Sequence, residues 1–135
     1  MTVCVNEQYL LQVLRNLLSN AFKYSPRSTP VSVSAQCEGS DEGEAKTVLI
    51  SVKDVGPGIP PDELPLLFGR FVRLQRDISG SIRGTGLGLY LSKQMVEKMG
   101  GTIWVESSGI AGEGSCFCVA LPVGVREPAT LPRNA

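Results

Sequence analysis

Three polar residues, Asn16, Asn20 and Lys23, recur four and three positions apart among apolar neighbours. On a helix, at about 100° per residue, they fall within ~60° of one another and away from Leu10, Leu14, Leu17 and Ala21. Two amide oxygens and an ammonium on one stripe can hold a hard cation and the phosphates it bridges, because Mg2+ takes oxygen ligands and keeps several waters. An ordinary solvated helix face has the same composition. Asp54, Gly56 and Gly58 form a second group, directly after an apolar run. Glycines there let another group approach the backbone closely, and a carboxylate ending such a run needs a donor to offset its desolvation. An exocyclic amino group such as that of adenine would serve; a plain Asp-capped turn is the alternative. A third group, Gly84, Gly86 and Gly88 in GTGLGL, opens a helical segment, whose free N–H groups and positive dipole end suit phosphate oxygens. No Gly-Lys-Ser/Thr follows, so this is not a P-loop, and the third glycine comes too early for a dinucleotide fingerprint. Between the second and third groups, Arg70, Arg73, Arg76 and Arg83 lie in a glycine- and proline-rich stretch, Val55 to Gly88, of the length typical of lids and binding loops.

The elements that must position these groups are legible from periodicity. Asn6 to Tyr24 reads as a helix with Asn6 as N-cap, Glu7 near its positive end, and Ser25 and Pro26 ending it. Val31 to Cys37 alternates like a half-buried strand, and Thr47 to Asp54 is a second strand rich in β-branched residues, with an acidic hairpin loop from Glu38 to Lys46. Pro61 to Phe68 carries a short helical signal. Leu87 to Met99 is a long helix with Leu87, Leu91, Met95 and Met99 on one side, stopped by Gly100 and Gly101. Thr102 to Glu106 and Ser115 to Leu121 are strands joined by a glycine-rich hairpin. Hairpins dominate, so the expected class is α+β: a two-layer α/β sandwich, its sheet mixed but mostly antiparallel, packed against about three helices. Residues 1–122 form the expected domain, and 123–135, rich in proline and polar residues, a flexible tail.

Composition narrows the function further. The 135 residues, 42% hydrophobic, suffice for one core. Thirteen basic and thirteen acidic residues cancel, which argues against nucleic acid as a partner. No apolar run approaches the ~20 residues that cross a bilayer, and Met1 to Asn6 has no secretion signal, so a cytoplasmic setting without direct membrane contact is expected. Cys4, Cys37, Cys116 and Cys118 show no metal-binding CxxC spacing and read as buried free thiols, Cys116 and Cys118 sharing one strand face. The chain has no histidine, so any histidine chemistry must use a partner.

From about Val3 to Pro122 the chain resembles the ATPase superfamily of gyrase, the Hsp90 chaperones, histidine kinases and the mismatch-repair protein MutL, and most closely its histidine kinase branch. The N box stands as NLLSNAFKYSP, the first glycine box as DVGPGIP, the F box as LFGRFVRL and the second glycine box as GTGLGL, with GGTIWVES and GEGSCFCVALP closing the pattern. The resemblance implies the Bergerat ATP-binding fold, with ATP and Mg2+ as cofactors. It implies that Asn20 ligates Mg2+ with support from Asn16, that Lys23 touches phosphate, and that Tyr24 lies beside the nucleotide. Asp54 would read the adenine amino group, with Ser115 as a second adenine contact, and Gly56, Gly58 and Ile59 would line the base. Arg73 would reach the phosphates from the lid, and the segment Gly84, Thr85, Gly86, Leu87, Gly88 and Leu89 would cradle them. Phe68 and Phe71 are expected to hinge and pack the lid. Gly69, where an acidic residue is common, and Val55, where threonine is frequent, depart from the pattern.

The implied activity is transfer of the γ-phosphoryl group of Mg-ATP to a histidine on a dimerisation domain, in cis or in trans, and onward to a response regulator. An ATP-hydrolysing clamp or an anti-sigma serine kinase of the same superfamily would begin its N box with a water-activating glutamate. Here Asn16 holds that position, and an amide cannot accept a proton at neutral pH. A degenerate nucleotide sensor is disfavoured by the intact boxes.

Overall fold

The computed structural model describes residues 6–39, 46–69 and 88–123. In chain order these form α1 (Glu7–Tyr24), β1 (Ser32–Glu38), β2 (Lys46–Lys53), a 3-10 turn (Leu64–Leu66), α2 (Gly88–Lys98), β3 (Thr102–Ser107) and β4 (Ser115–Val123). The strands form a four-stranded sheet of order β1-β2-β4-β3, and all three pairings are antiparallel. The architecture is the expected α+β sandwich. Among the described residues it holds two α-helices and the 3-10 turn, and the sheet contains no parallel pair.

Helix α1 starts where its cap dictates. The Asn6 side chain accepts a hydrogen bond from the Tyr9 N–H at 3.1 Å, satisfying one of the donors that a helix start leaves open. Glu7 in the first turn and Lys23 in the last complement the helix dipole. Replacing Asn6 with alanine is expected to cost about 1 kcal/mol of stability, readable by urea denaturation. Val13, Leu17 and Ala21 from α1 are buried with Val48, Ile50 and Val52 of β2, Ile103 of β3, Phe117, Val119 and Leu121 of β4, and Val96 of α2. Both helices therefore lie on one face of the sheet. Burying each of the larger aliphatic side chains contributes about 1.5–3 kcal/mol, which makes this the platform on which the polar groups are held.

Two expectations need correction. The strand read over Val31 to Cys37 is Ser32–Glu38, and it is exposed along its whole length rather than half-buried. Its alternation is real: Val33, Ala35 and Cys37 pair with the core residues Val52, Ile50 and Val48. However, β1 is the sheet edge, while the helices contact β2 and β3, so its apolar side has no layer above it. In α2 the fully buried positions are Ser92 and Val96, one turn apart, whereas Leu91 stays 42% exposed. Packing against α1 and β3 selects the Ser92 and Val96 stripe, with Met95 and Met99 partly buried at its margin. A Schellman pair closes the helix, Gly101 N–H donating to the Val96 carbonyl at 2.9 Å and Gly100 N–H to that of Glu97 at 3.0 Å.

Candidate functional site

Asn16 links the first and third predicted groups. Its Nδ2 donates to Ser92 Oγ at 3.0 Å and to the Gly88 carbonyl at 3.3 Å, while its Oδ1 accepts from Gln12 Nε2 at 3.1 Å. The side chain thus ties the polar side of α1 to the first turn of α2. Asn20, one turn on, is half-buried and Lys23 is exposed. Tyr24 is the last residue of α1. Gly88, the first residue of α2, is exposed, and Leu89 packs against the core.

The second group is assembled by the sheet register. Pairing of Lys53 with Cys116 brings the end of β2 beside the start of β4. Asp54, 3% exposed, takes two N–H donors on Oδ1: Gly56 at 2.9 Å and Ser115 at 3.3 Å. Its own N–H donates to the Ser115 carbonyl at 3.0 Å. The two residues expected at the adenine are thus joined by backbone and side chain, and the two N–H groups offset the carboxylate's desolvation. Gly56 is also held from the other side, its carbonyl accepting from Gly112 N–H at 3.1 Å. Ile59 lies in the core at 2% exposure, beneath the loop, so the structure makes it a floor residue.

Ser107, to which sequence reasoning gave no role, is the knot of this loop. Its hydroxyl donates to the Gly114 carbonyl at 2.9 Å and accepts from Ile59 N–H at 2.9 Å and Gly109 N–H at 3.3 Å. One proton and two lone pairs are all used. Serine at this position gives no periodic signal, because its partners lie up to 48 residues away. Removing the hydroxyl leaves three backbone groups short of a partner, so Ser107→Ala is expected to lose about 1–2 kcal/mol of stability in thermal denaturation. Gly58 and Gly114 fit where a side chain would not. Gly58 has φ +79°, and an added Cβ would lie 3.1 Å from Ser107 Oγ; Gly114 has φ +69°, and its Cβ would strike the Asp54 carbonyl oxygen. Ser92 was also missed; the signal available was a polar residue within the otherwise apolar side of α2.

At the far end of the loop Phe68 meets Phe117 edge to face, with ring centroids 6.4 Å apart, in keeping with a packing role. Arg73, Gly84, Thr85, Gly86 and Leu87, along with Arg70, Phe71, Arg76 and Arg83, lie outside the described residues. Asn16, Asn20, Asp54, Gly56, Gly58, Gly88 and Ser115 therefore define the candidate site.

A sandwich with an amide-bearing helix, a carboxylate at a strand end and a glycine-started helix is the arrangement of a nucleotide-binding ATPase domain. The family model described as "Histidine kinase-, DNA gyrase B-, and HSP90-like ATPase" matches residues 5–125, and the chain belongs to this family. Sensor histidine kinase WalK of Bacillus subtilis is 39% identical over 118 residues, covering 87% of this chain and 18% of WalK. Among solved structures, the mycobacterial sensor histidine kinase MprB matches with a TM-score of 0.72 and 34% identity, over 90% of this chain and 74% of that one. Full-length ShkA in complex with AMPPNP matches with a TM-score of 0.66 and 30% identity, over 94% of this chain and 25% of ShkA. The chain spans less than a fifth of the length of WalK.

Proposed function

We propose that this domain binds Mg-ATP between α1, the glycine loop after β2 and the start of α2, and presents the γ-phosphoryl group to a histidine of a dimerisation domain, in cis or in trans, from which an aspartate of a response regulator takes it. The observation that carries the reading is the junction of Asp54 with Ser115, and an Asn16 side chain bonded to Gly88 supports it. Asp54 would give an acceptor for the adenine amino group, and the N–H groups at the start of α2 would suit phosphate.

Phosphoryl transfer asks the protein mainly for placement and neutralisation of charge. Asp54 would orient the base, with Ser115, Gly56 and Gly58 around it and Tyr24 nearby. Lys23, Arg73 and the N–H groups from Gly84 to Leu89 would bear on the phosphates. The donor set fits Mg2+: Asn20 offers an amide oxygen one turn from Asn16, and no cluster of three His, Cys, Asp or Glu occurs among the described residues that would suit a softer or protein-caged ion. Bound there through Asn20, with Asn16 in support, Mg2+ would neutralise charge on the triphosphate. Asn16 has no basic atom to offer a water, its Nδ2 being a donor twice over and its Oδ1 an amide acceptor. This disfavours the hydrolytic clamp and the anti-sigma serine kinase.

No helix among the described residues is long and apolar enough to cross a membrane. We place the domain in the cytoplasm, where ATP and the regulator are found, with residues 1–122 as the nucleotide-binding unit; β4 runs to Val123, one residue past that bound, and residues 124–135 lie outside the described residues. The test is to mix the chain with a histidine-bearing dimerisation bundle and labelled ATP. Label on the bundle's histidine, with hydrolysis by the chain alone far below the ~1–10³ s⁻¹ of ordinary enzymes, is expected. Rapid hydrolysis with no labelled histidine would favour the clamp.

A further inference from the structure

Side chains on β4 alternate between the helix-covered face, which takes Phe117 and Val119, and the opposite face, which takes Cys116 and Cys118. The two sulfurs are 3.7 Å apart. Cys116 is half-buried, while Cys118 is 4% exposed, with Ser51 Oγ 4.0 Å from its sulfur on one flank and Trp104 as its register partner on the other. Neither sulfur is used by the nucleotide site.

Three kinds of chemistry could use such a pair. A disulfide needs the sulfurs within about 2.05 Å, and residues two apart on a strand, rising ~3.3 Å each, sit at the upper limit of Cα separation for such a bond. Zinc needs four ligands, and no third His, Cys, Asp or Glu completes a cluster among the described residues. It also needs thiolates, whereas burial first, and then the hydrogen bond and charge of Cys116, push the Cys118 thiol up to about 12. Trivalent arsenic needs only two sulfurs, its As–S bonds meet at nearly a right angle and so span a gap of this size, and it takes protonated thiols.

We propose that Cys116 and Cys118 form a two-thiol capture site for trivalent arsenicals on the face of the sheet opposite the helices. An organic arsenoxide reacts first at the more open Cys116 and closes on Cys118. Two As–S bonds form, both S–H bonds and the As–O double bond break, and the two protons leave with the oxygen as one water. Neither arsenic nor sulfur changes oxidation state, so no further reagent is consumed. The half-buried Trp104 indole gives an aryl substituent an apolar surface to lie against.

The probe is phenylarsine oxide, added to the chain carrying Cys4→Ser and Cys37→Ser. Expected results are one adduct per chain by intact mass, loss of both remaining thiols to alkylation, and reversal by a small dithiol. Cys116→Ser and Cys118→Ser should each weaken capture by roughly 100-fold, the advantage of closing the second bond within one molecule. Because Cys118 is buried, the partly exposed Cys116→Ser variant and a melting curve for each keep loss of fold separate from loss of the site. No adduct, two thiols still open to alkylation, or undiminished capture by the folded Cys116→Ser variant would overturn the proposal. Mass and thiol counts do not depend on ATP, so this result stands apart from the nucleotide reading.

Discussion

Asp54→Asn is expected to weaken Mg-ATP binding by about 2–3 kcal/mol, roughly 30- to 150-fold, in isothermal titration calorimetry, while leaving the fold nearly as stable as before. The asymmetry follows from the atoms. Asparagine keeps an acceptor at Oδ1, so the bonds from Gly56 and Ser115 survive. The second oxygen becomes an NH2 group, and a donor then faces the donor amino group of adenine in a site that is 3% exposed. The same logic makes inosine triphosphate, whose base lacks that amino group, a poor ligand for the native chain. Its disadvantage relative to ATP should shrink in the variant, because a site built to pair with a polar group discriminates by leaving it unpaired. A variant that binds ATP as the native chain does would show that the carboxylate reads nothing.

Gly114→Ala is expected to be the most damaging single change to stability, about 3–4 kcal/mol, with nucleotide binding lost alongside. Two costs combine. Alanine at φ +69° pays the left-handed penalty of about 1 kcal/mol, and its Cβ strikes the Asp54 carbonyl oxygen and falls 2.6 Å from the carbonyl carbon and 2.8 Å from Val55 Cα. These are backbone atoms held by the Asp54–Ser115 pairing, so they cannot give way without parting β4 from the loop. Gly112→Ala is the control. Its φ is +89° but nothing lies within 4 Å of the added Cβ, so only the conformational cost of about 1 kcal/mol applies. Equal losses for the two variants in calorimetric unfolding would refute the role given to close approach at Gly114.

The local parts of this protein are written locally, and sequence reading recovers them. The cap at Asn6, the helix that carries Asn16, Asn20 and Lys23, and the hairpin pairings of the strands all depend on neighbours within a turn or a strand. What the sequence conceals is which distant groups meet. Asp54 and Ser115 are 61 positions apart, and their bond exists because the β2–β4 register pairs Lys53 with Cys116. Asn16 reaches Ser92 across 76 positions only once α1 and α2 are packed. The burial of β1 was misjudged for the same reason: alternation reveals which way Val33 and Ala35 face, but not that the helix layer stops short of the edge strand. In α2 four apolar residues suggested a side through Leu91, yet the face chosen by its neighbours runs through Ser92 and Val96. Ser107 is the extreme case, a short polar side chain whose whole role lies in three backbone partners, two in its own hairpin and one in the loop after β2.

The most direct measurement is a crystal structure of the chain with Mg2+ and a non-hydrolysable ATP analogue. The adenine amino nitrogen should lie about 2.7–3.2 Å from the Asp54 carboxylate, and the Asn20 amide oxygen about 2.0–2.1 Å from the ion. A nucleotide bound away from Asp54 and Ser115, or an ion held without Asn20, would contradict the site described here.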